Sequence, residues 1–258
     1  MEIIQGEKFI QLADEKYIFY KHTHEVNEFL DNIDFNEDFI LISHNSDGKV
    51  KDDDKFPNAD IRKVPNNLKY WYSQNVCIDD SRLISIPIGM ENSKWFNYFG
   101  VHKINKIIEK LKDDRKIINT VYINHNVNTN LQERSIVYEM FNNSSFCTIE
   151  LGGNGVDYDR YINNIYNHKF VICPEGNGTD THRTWETLYL GSIPIEKRNN
   201  NNKFYYDLPI CFVDEWCDIT EEFLEFEYKR ITETIFNLKK IDFGYWVKDI
   251  MDKKKKIM

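Results

Sequence analysis

KFVICPEGNGTDTHRTWETLYLGSIPIE, residues 169–196, is the stretch that decides the fold. Residues 170–173 (FVIC) form a short apolar run of the length and β-branched content of a buried strand. Pro174, Gly176 and Gly178 interrupt it, and Thr179, Asp180 and Thr181 supply cap-forming side chains for a following helix. Residues 182–190 fit that helix, and Gly191 stops it. A second apolar segment, residues 192–195 (SIPI), follows at once. Strand, glycine loop, helix and strand in this order make a βαβ unit. Its loop lies at the carboxyl end of the first strand, where open α/β sheets bind ligands. Backbone N–H groups at the helix start, with Arg183 in the first turn, suit a phosphate.

The scheme repeats on either side. Residues 39–43 (FILIS) read as a buried strand, and the polar HNSDG that follows would face a cleft. Residues 16–20 suggest a further strand, 23–30 an amphipathic helix, 68–75 a helix leading into a turn, and 83–89 a short strand followed by Met90, Glu91 and Asn92. Helical spacing over 104–111 leads into the charged run 112–116, a natural boundary. A second half begins with a strand at 117–124, a polar loop to 130 and a helix over 131–141 with Arg134 in its first turn. That arginine suits a phosphate, or equally a surface pair with Glu133. A helix over 158–168, a strand over 208–213, a helix over 219–226 and a helical segment over 231–250 broken at Gly244 complete the pattern. The division expected is an acceptor-side domain over 1–115, a donor-binding domain over 116–240, and a terminal helix with a basic tail over 241–258.

Lys169, Phe170, Pro174, Gly176, Arg183, Glu186, Gly191 and Pro194 together carry the pattern K-F-x-x-x-P-x-G…R-x-x-E-x-x-x-x-G-x-x-P. It resembles the nucleotide-sugar motif of exostosin-like glycosyltransferases, of the bacterial and viral, family-47-like type. WYSQNV and SIPIGMEN, in the first half, resemble that family more weakly. The resemblance implies a GT-B-like α/β fold, with two Rossmann-like domains whose parallel sheets face a cleft and a C-terminal helix crossing back. It implies an inverting Leloir transferase acting on a nucleotide-sugar, UDP favoured, and a glycan hydroxyl acceptor. Glu186 would hold the donor ribose, and Arg183 and Arg134 would lie at the diphosphate. A GDP-fucose-type transferase and a catalytically inactive nucleotide- or carbohydrate-binding module are the alternatives.

The other candidates follow from the chemistry such a reaction needs. Arg183 and the loop amides around Gly176 and Gly178 would neutralise charge on a leaving diphosphate. Glu186, three residues after Arg183, shares its helical face; a plain Arg183–Glu186 ion pair would use the same spacing. Asn177, Thr181 and His182 are further candidate donor contacts. With the inversion that the resemblance implies, the acceptor base would come from the first half: Asp47 is the first candidate, with His44 and Glu91 as rivals, and an ordinary Asp-Gly turn is the competing account of Asp47. Asp157-Tyr158-Asp159 is a D-x-D, the signature of metal-dependent transferases, but its glycine-rich approach and following helix read as a helix cap. No metal and no cofactor beyond the nucleotide-sugar substrate are expected.

A net charge of −9 over 258 residues argues against nucleic acid or an anionic membrane as partner. Five scattered cysteines without a C-x-x-C pair read as reduced thiols, and no signal peptide or membrane-length apolar run is visible, so the expected location is the cytosol of a cell or of a host cell. Lys253–Lys256 would be a solvated tail and Asn199–Asn202 a surface loop. Nothing in the sequence selects the donor sugar, the linkage or the oligomeric state.

Overall fold

The computed structural model describes residues 1–96, 100–110, 115–150 and 157–258. The chain is a mixed α/β protein built on two all-parallel sheets. In the first half β1 (Ile18–His22), β2 (Phe39–His44), β5 (Leu68–Ser73) and β6 (Leu83–Ser85) pair in that order, with α1 (Val26–Asn32) between β1 and β2. A two-stranded ribbon, β3 (Val50–Lys51) and β4 (Ala59–Asp60), interrupts the path from β2 to β5. After α2 (Gly100–Lys110) come β7 (Asn119–Ile123), α3 (Leu131–Phe141), β8 (Cys147–Ile149), α4 (Tyr158–Tyr166), β9 (His168–Ile172), α5 (His182–Tyr189), β10 (Ile193–Lys197) and β11 (Cys211–Val213), with sheet order β11-β10-β9-β7-β8. The chain ends in α6 (Glu221–Glu233) and α7 (Phe243–Ile257).

Every residue of β2 is buried, as parallel strands covered on both faces must be. Alternation along the strands sorts the core into layers. Phe39 and Leu41 of β2 pack with Val26 and Leu30 of α1 on one outer face. Val121, Phe170 and Ile172 of the second sheet pack with Val137 of α3 and Leu224 of α6 on the other. The opposite faces meet in one inner cluster: Ile40, Ile42 and Tyr72 from the first sheet, Tyr122 and Val171 from the second, Trp185 of α5 and Trp246 of α7. The two halves therefore share a core.

The opening βαβ unit forms as its residues dictate. Gly191, at φ 73°, takes the left-handed position that ends α5, and Ser192 N–H then reaches back to the Thr187 carbonyl. Elsewhere tertiary context overrides the local reading. Of the stretch 68–75, expected as a helix leading into a turn, residues 68–73 are a strand: LKYWYS is rich in aromatics suited to a pleated surface, and it pairs with both β2 and β6. The last helical segment breaks over 234–242 and not at Gly244. Asp242 caps α7, its Oδ1 accepting from Gly244 N–H at 2.8 Å, so that glycine sits in the first turn. The C-terminal lysines lie on α7, and two of the four pack on the protein: Lys254 pairs with Glu15 at 2.6 Å and Lys253 stands over the Tyr70 ring, while Lys255 and Lys256 are exposed as expected. Tyr72 of β5 donates its hydroxyl to Asp249, so α7 packs against the first sheet.

The asparagine loop is a surface feature only in its first half: Asn200 is exposed and Asn199 half-buried. Asn201 and Asn202 are each 2% exposed. Asn201 Oδ1 accepts from Val76 N–H (3.0 Å) and from the Ser85 hydroxyl (2.7 Å), binding the second half to the first. The charged boundary 112–116 falls partly outside the described residues. Its last arginine, Arg115, donates to the carbonyls of Tyr166, His168 and Gly191, which anchors it to the second half. Among the described residues no helix is long and apolar enough to cross a membrane.

Candidate active site

The carboxyl ends of both sheets open on one cavity of about 590 Å³. This is within the range of small-molecule sites. The first half contributes Asp47 after β2, and Ile88 and Glu91 after β6. The second half contributes Asn124 and Thr129 after β7, Arg134 of α3, Tyr158 and Tyr161 of α4, the 176–181 loop, and His182, Arg183 and Glu186 of α5. Parallel strands bring this about, because every strand of a parallel sheet releases its following loop at the same edge.

Cross-cleft hydrogen bonds fix the shape of the loop after β9. Asp180 is buried; its carboxylate accepts from Ile88 N–H (2.7 Å), Thr181 N–H (2.9 Å) and the indole N–H of Trp185 (2.9 Å). Its own N–H donates to Asn75 Oδ1 at 2.8 Å. Burial pushes the Asp180 carboxyl up to about 6 despite these donors. Gly178 passes so close to Asn75 that a Cβ there would lie 2.8 Å from its side-chain amide. Asp180 and Asn75 escape sequence reading because their partners are distant in the chain; the run of Thr and Asp before α5 signals only a cap.

Arg183 stands half-buried in the first turn of α5, and its Nε is buried with no hydrogen-bond partner among the described residues. The alternative Arg183–Glu186 ion pair is not how Glu186 is held. The Glu186 carboxylate, 4% exposed, accepts from Tyr161 Oη (2.5 Å) and Tyr158 Oη (3.2 Å) instead. Arg134 is also buried, but its donors are largely spent: Nε on the Glu175 carbonyl, Nη1 on Asn126 O and Thr129 Oγ1, Nη2 on Pro174 O. It ties the loop after β7 to the loop after β9 and has no surface pair with Glu133, which instead accepts from Trp216 Nε1. Burial and then the charge of Arg183 bring Arg134 down to about 10, and push buried His125 down to about 4. Two neighbouring guanidiniums make this wall of the cavity attractive to an anion.

The remaining predicted residues divide. Asn177 donates to Asp47 Oδ2 at 3.1 Å across the cleft, and both are exposed to it. His182 meets the Gly89 carbonyl with Nδ1 (2.7 Å) and Glu91 with Nε2 (3.3 Å). Burial opposes its charge, but the Glu91 carboxylate and the Gly89 carbonyl outweigh it and raise the His182 pKa. Thr181 lines the cavity at the cap position without making a side-chain cap bond. Gly176 also lines it, but its N–H is spent on the Gly178 carbonyl, so that amide is not a phosphate donor. Pro174 and Gly178 shape the loop from behind; neither borders the cavity. His44 does not reach the cavity either. It is 1% exposed, its Nε2 lies 2.9 Å from the Pro87 carbonyl, its Nδ1 accepts from Asn45 N–H, and burial holds it down at about 4. With both ring nitrogens occupied it has no site for an acceptor proton.

Of the D-x-D pair, Asp157 caps α4 through Asp159 N–H and Asp159 pairs with Lys103. The glycine run before it falls in residues 151–156, outside those described. Among the described residues no group of three or more His, Cys, Asp or Glu is placed to hold a metal ion. Tyr158 and Tyr161 are the functional candidates missed from sequence; their i, i+3 spacing on one helix was the available signal. No protein-family model matches this sequence, and no curated protein matches it.

Proposed function

We propose that the chain is an inverting glycosyltransferase that takes a sugar from a nucleotide-sugar, a UDP-sugar favoured, and passes it to a glycan hydroxyl. The reading includes the GT-B-type, exostosin-like organisation that the 169–196 motif resembles. One observation carries it: Arg183, whose buried Nε has no hydrogen-bond partner among the described residues, and a buried carboxylate, Glu186, stand on one helix in a cavity at the carboxyl ends of two parallel sheets. A donor needs this combination, a cation for its diphosphate and an acceptor for its ribose hydroxyls. Arg183 then stabilises the charge that develops on the departing diphosphate.

Asp47 is the carboxylate we assign as base. It is exposed on the cavity wall that the first half contributes, and its one hydrogen bond among the described residues, from Asn177, leaves acceptor positions open. In-line displacement with inversion places the acceptor hydroxyl on the face of the sugar opposite the diphosphate, and in this reading that face is turned towards the first half, which contributes Asp47. The proton passes to Asp47 as the new glycosidic bond forms and the diphosphate leaves.

The test is a panel of UDP-, GDP- and CMP-sugars with mixed glycan acceptors, read by release of the nucleoside diphosphate or monophosphate. Turnover of a UDP-sugar that survives EDTA, is lost in Asp47→Asn and leaves donor binding intact in that variant is the expected result. A GDP-sugar preference would instead select the GDP-fucose-type alternative. A binding module without catalysis is the second reading, favoured by two of the three candidate bases: His44 is sealed in the core and Glu91 is paired with His182. Tight nucleotide binding with no turnover on any donor would establish it, and no binding of any nucleotide would refute both.

A further inference from the structure

Glu186 is set differently from a carboxylate simply facing a cavity. Tyr158 and Tyr161 lie on the same face of α4 and deliver one hydroxyl to each carboxylate oxygen: Tyr161 to Oε2 at 2.5 Å and Tyr158 to Oε1 at 3.2 Å. Tyr161 is backed by the fully buried Tyr122, with ring centroids 6.3 Å apart. Tyr122 is itself fixed, donating to Glu150 (2.9 Å) and accepting from Asn124 (3.0 Å). Tyr158, Tyr161 and Glu186 line the cavity, as does Asn124, the donor to Tyr122. Burial first, and the Glu186 charge with it, raises both tyrosine pKa values, so each hydroxyl keeps its proton and can only donate to Glu186.

We propose that Tyr158 and Tyr161 are positioning residues that fix the Glu186 carboxylate as a paired acceptor for a vicinal diol, making the cavity select ribonucleotides over deoxyribonucleotides. The inference rests on the nucleotide-sugar reading above. An ionised carboxylate offers about four lone-pair sites on its two oxygens. With one on each oxygen taken by a tyrosine, one on each remains, and the orientation of both is locked. The two hydroxyls of a ribose, on adjacent carbons, present two donors to that pair. A deoxyribose fills one, leaving a lone pair of a buried carboxylate without a donor, which is the arrangement by which polar sites reject an analogue lacking a hydroxyl. If the tyrosines merely braced α4 against α5, removing a hydroxyl would weaken the fold and reduce binding of both nucleotides alike.

Isothermal titration of the full chain with UDP and GDP, and with the 2′-deoxy form of each, separates these accounts. One lost hydrogen bond to a charged group, about 1.5–3 kcal/mol, sets the expected wild-type preference for the ribonucleotide at up to ~10²-fold. Tyr161→Phe keeps the ring against Tyr122 and removes the hydroxyl; the preference should fall to about tenfold or less, with the loss concentrated in the ribonucleotide. Tyr158→Phe, at the longer bond, should move the ratio in the same direction and serves if Tyr161→Phe does not fold; melting temperatures are recorded for both. If both variants keep the wild-type ratio while Glu186→Gln loses it, the tyrosines do not position Glu186 and the inference is overturned, with the nucleotide reading intact. If the wild type binds neither nucleoside diphosphate, the nucleotide reading fails and the inference falls with it.

Discussion

Replacing Arg183 by methionine should weaken nucleotide binding while leaving the fold about as stable as before, or more so. The Nε of Arg183 is buried without an acceptor among the described residues, and the side chain lies next to a second buried guanidinium, Arg134. A buried donor left unsatisfied costs about 1–3 kcal/mol, and its removal recovers that amount. Methionine refills most of the space of the arginine stem, so the packing loss is held to about 1.5 kcal/mol or less. The balance runs from a loss of about 0.5 kcal/mol to a gain of about 3 kcal/mol, each kcal/mol being equivalent to about 2–4 °C in Tm for a chain of this size. With ligand the sign reverses. Two charge-assisted bonds to a diphosphate at about 1.5–3 kcal/mol each amount to a fall in affinity of about 10²–10⁴-fold. Urea denaturation of the apo protein gives the first quantity and titration with UDP and GDP the second. A destabilisation of 2 kcal/mol or more would mean that the guanidinium is satisfied in the free protein, and unchanged affinity would remove it from the ligand site. Either result refutes the reasoning.

Other perturbations test the scaffold around the site. Asn201→Ala strips an acceptor from two buried donors, Val76 N–H and the Ser85 hydroxyl, that join the halves; a loss of about 2–4 kcal/mol in chemical denaturation is expected, with the transition still single. Glu196, at the end of β10, accepts from the Thr184 hydroxyl and from Asn202, and burial raises it to about 7. A carboxyl whose pKa is higher in the folded than in the unfolded chain favours folding while protonated; the benefit is complete below its ordinary value and is lost as pH rises through about 7. Glu196→Gln, which keeps an acceptor for Thr184, should therefore match the wild type near pH 4 and exceed it in stability at pH 8, as measured by urea midpoints.

How much of this was legible in the sequence differs by scale. The continuous apolar run of residues 39–42, and the strand–glycine–helix–strand order of 169–196, are local patterns that mark a strand buried on both faces and a βαβ unit. They were sufficient for the parallel α/β class, and for placing Arg183 and Glu186 on one helix at a strand's carboxyl end. The misread segments were those where partners outvote local preference. Residues 68–73 became a strand because two neighbours pair with them, and Asn201 and Asn202 left the surface because the first half offers donors to Asn201 and the second half holds Asn202.

The composition of the site belongs to the tertiary structure alone. Asp180 meets Ile88 across 92 residues of chain, Asn177 meets Asp47 across 130, and Tyr161 meets Glu186 across 25. No periodicity encodes such pairs, since each depends on two separately formed loops or helices arriving at one edge. The same packing occupied His44 with the Pro87 carbonyl, spent Arg134 on backbone carbonyls, and left the Nε of Arg183 without a partner among the described residues. The sequence by itself therefore determined which residue types stand at the strand ends. Only the folded chain decided which of them are consumed in holding it together and which remain open to a ligand, because a hydrogen-bonding group is free or occupied according to what the rest of the chain brings within 3 Å or so of it.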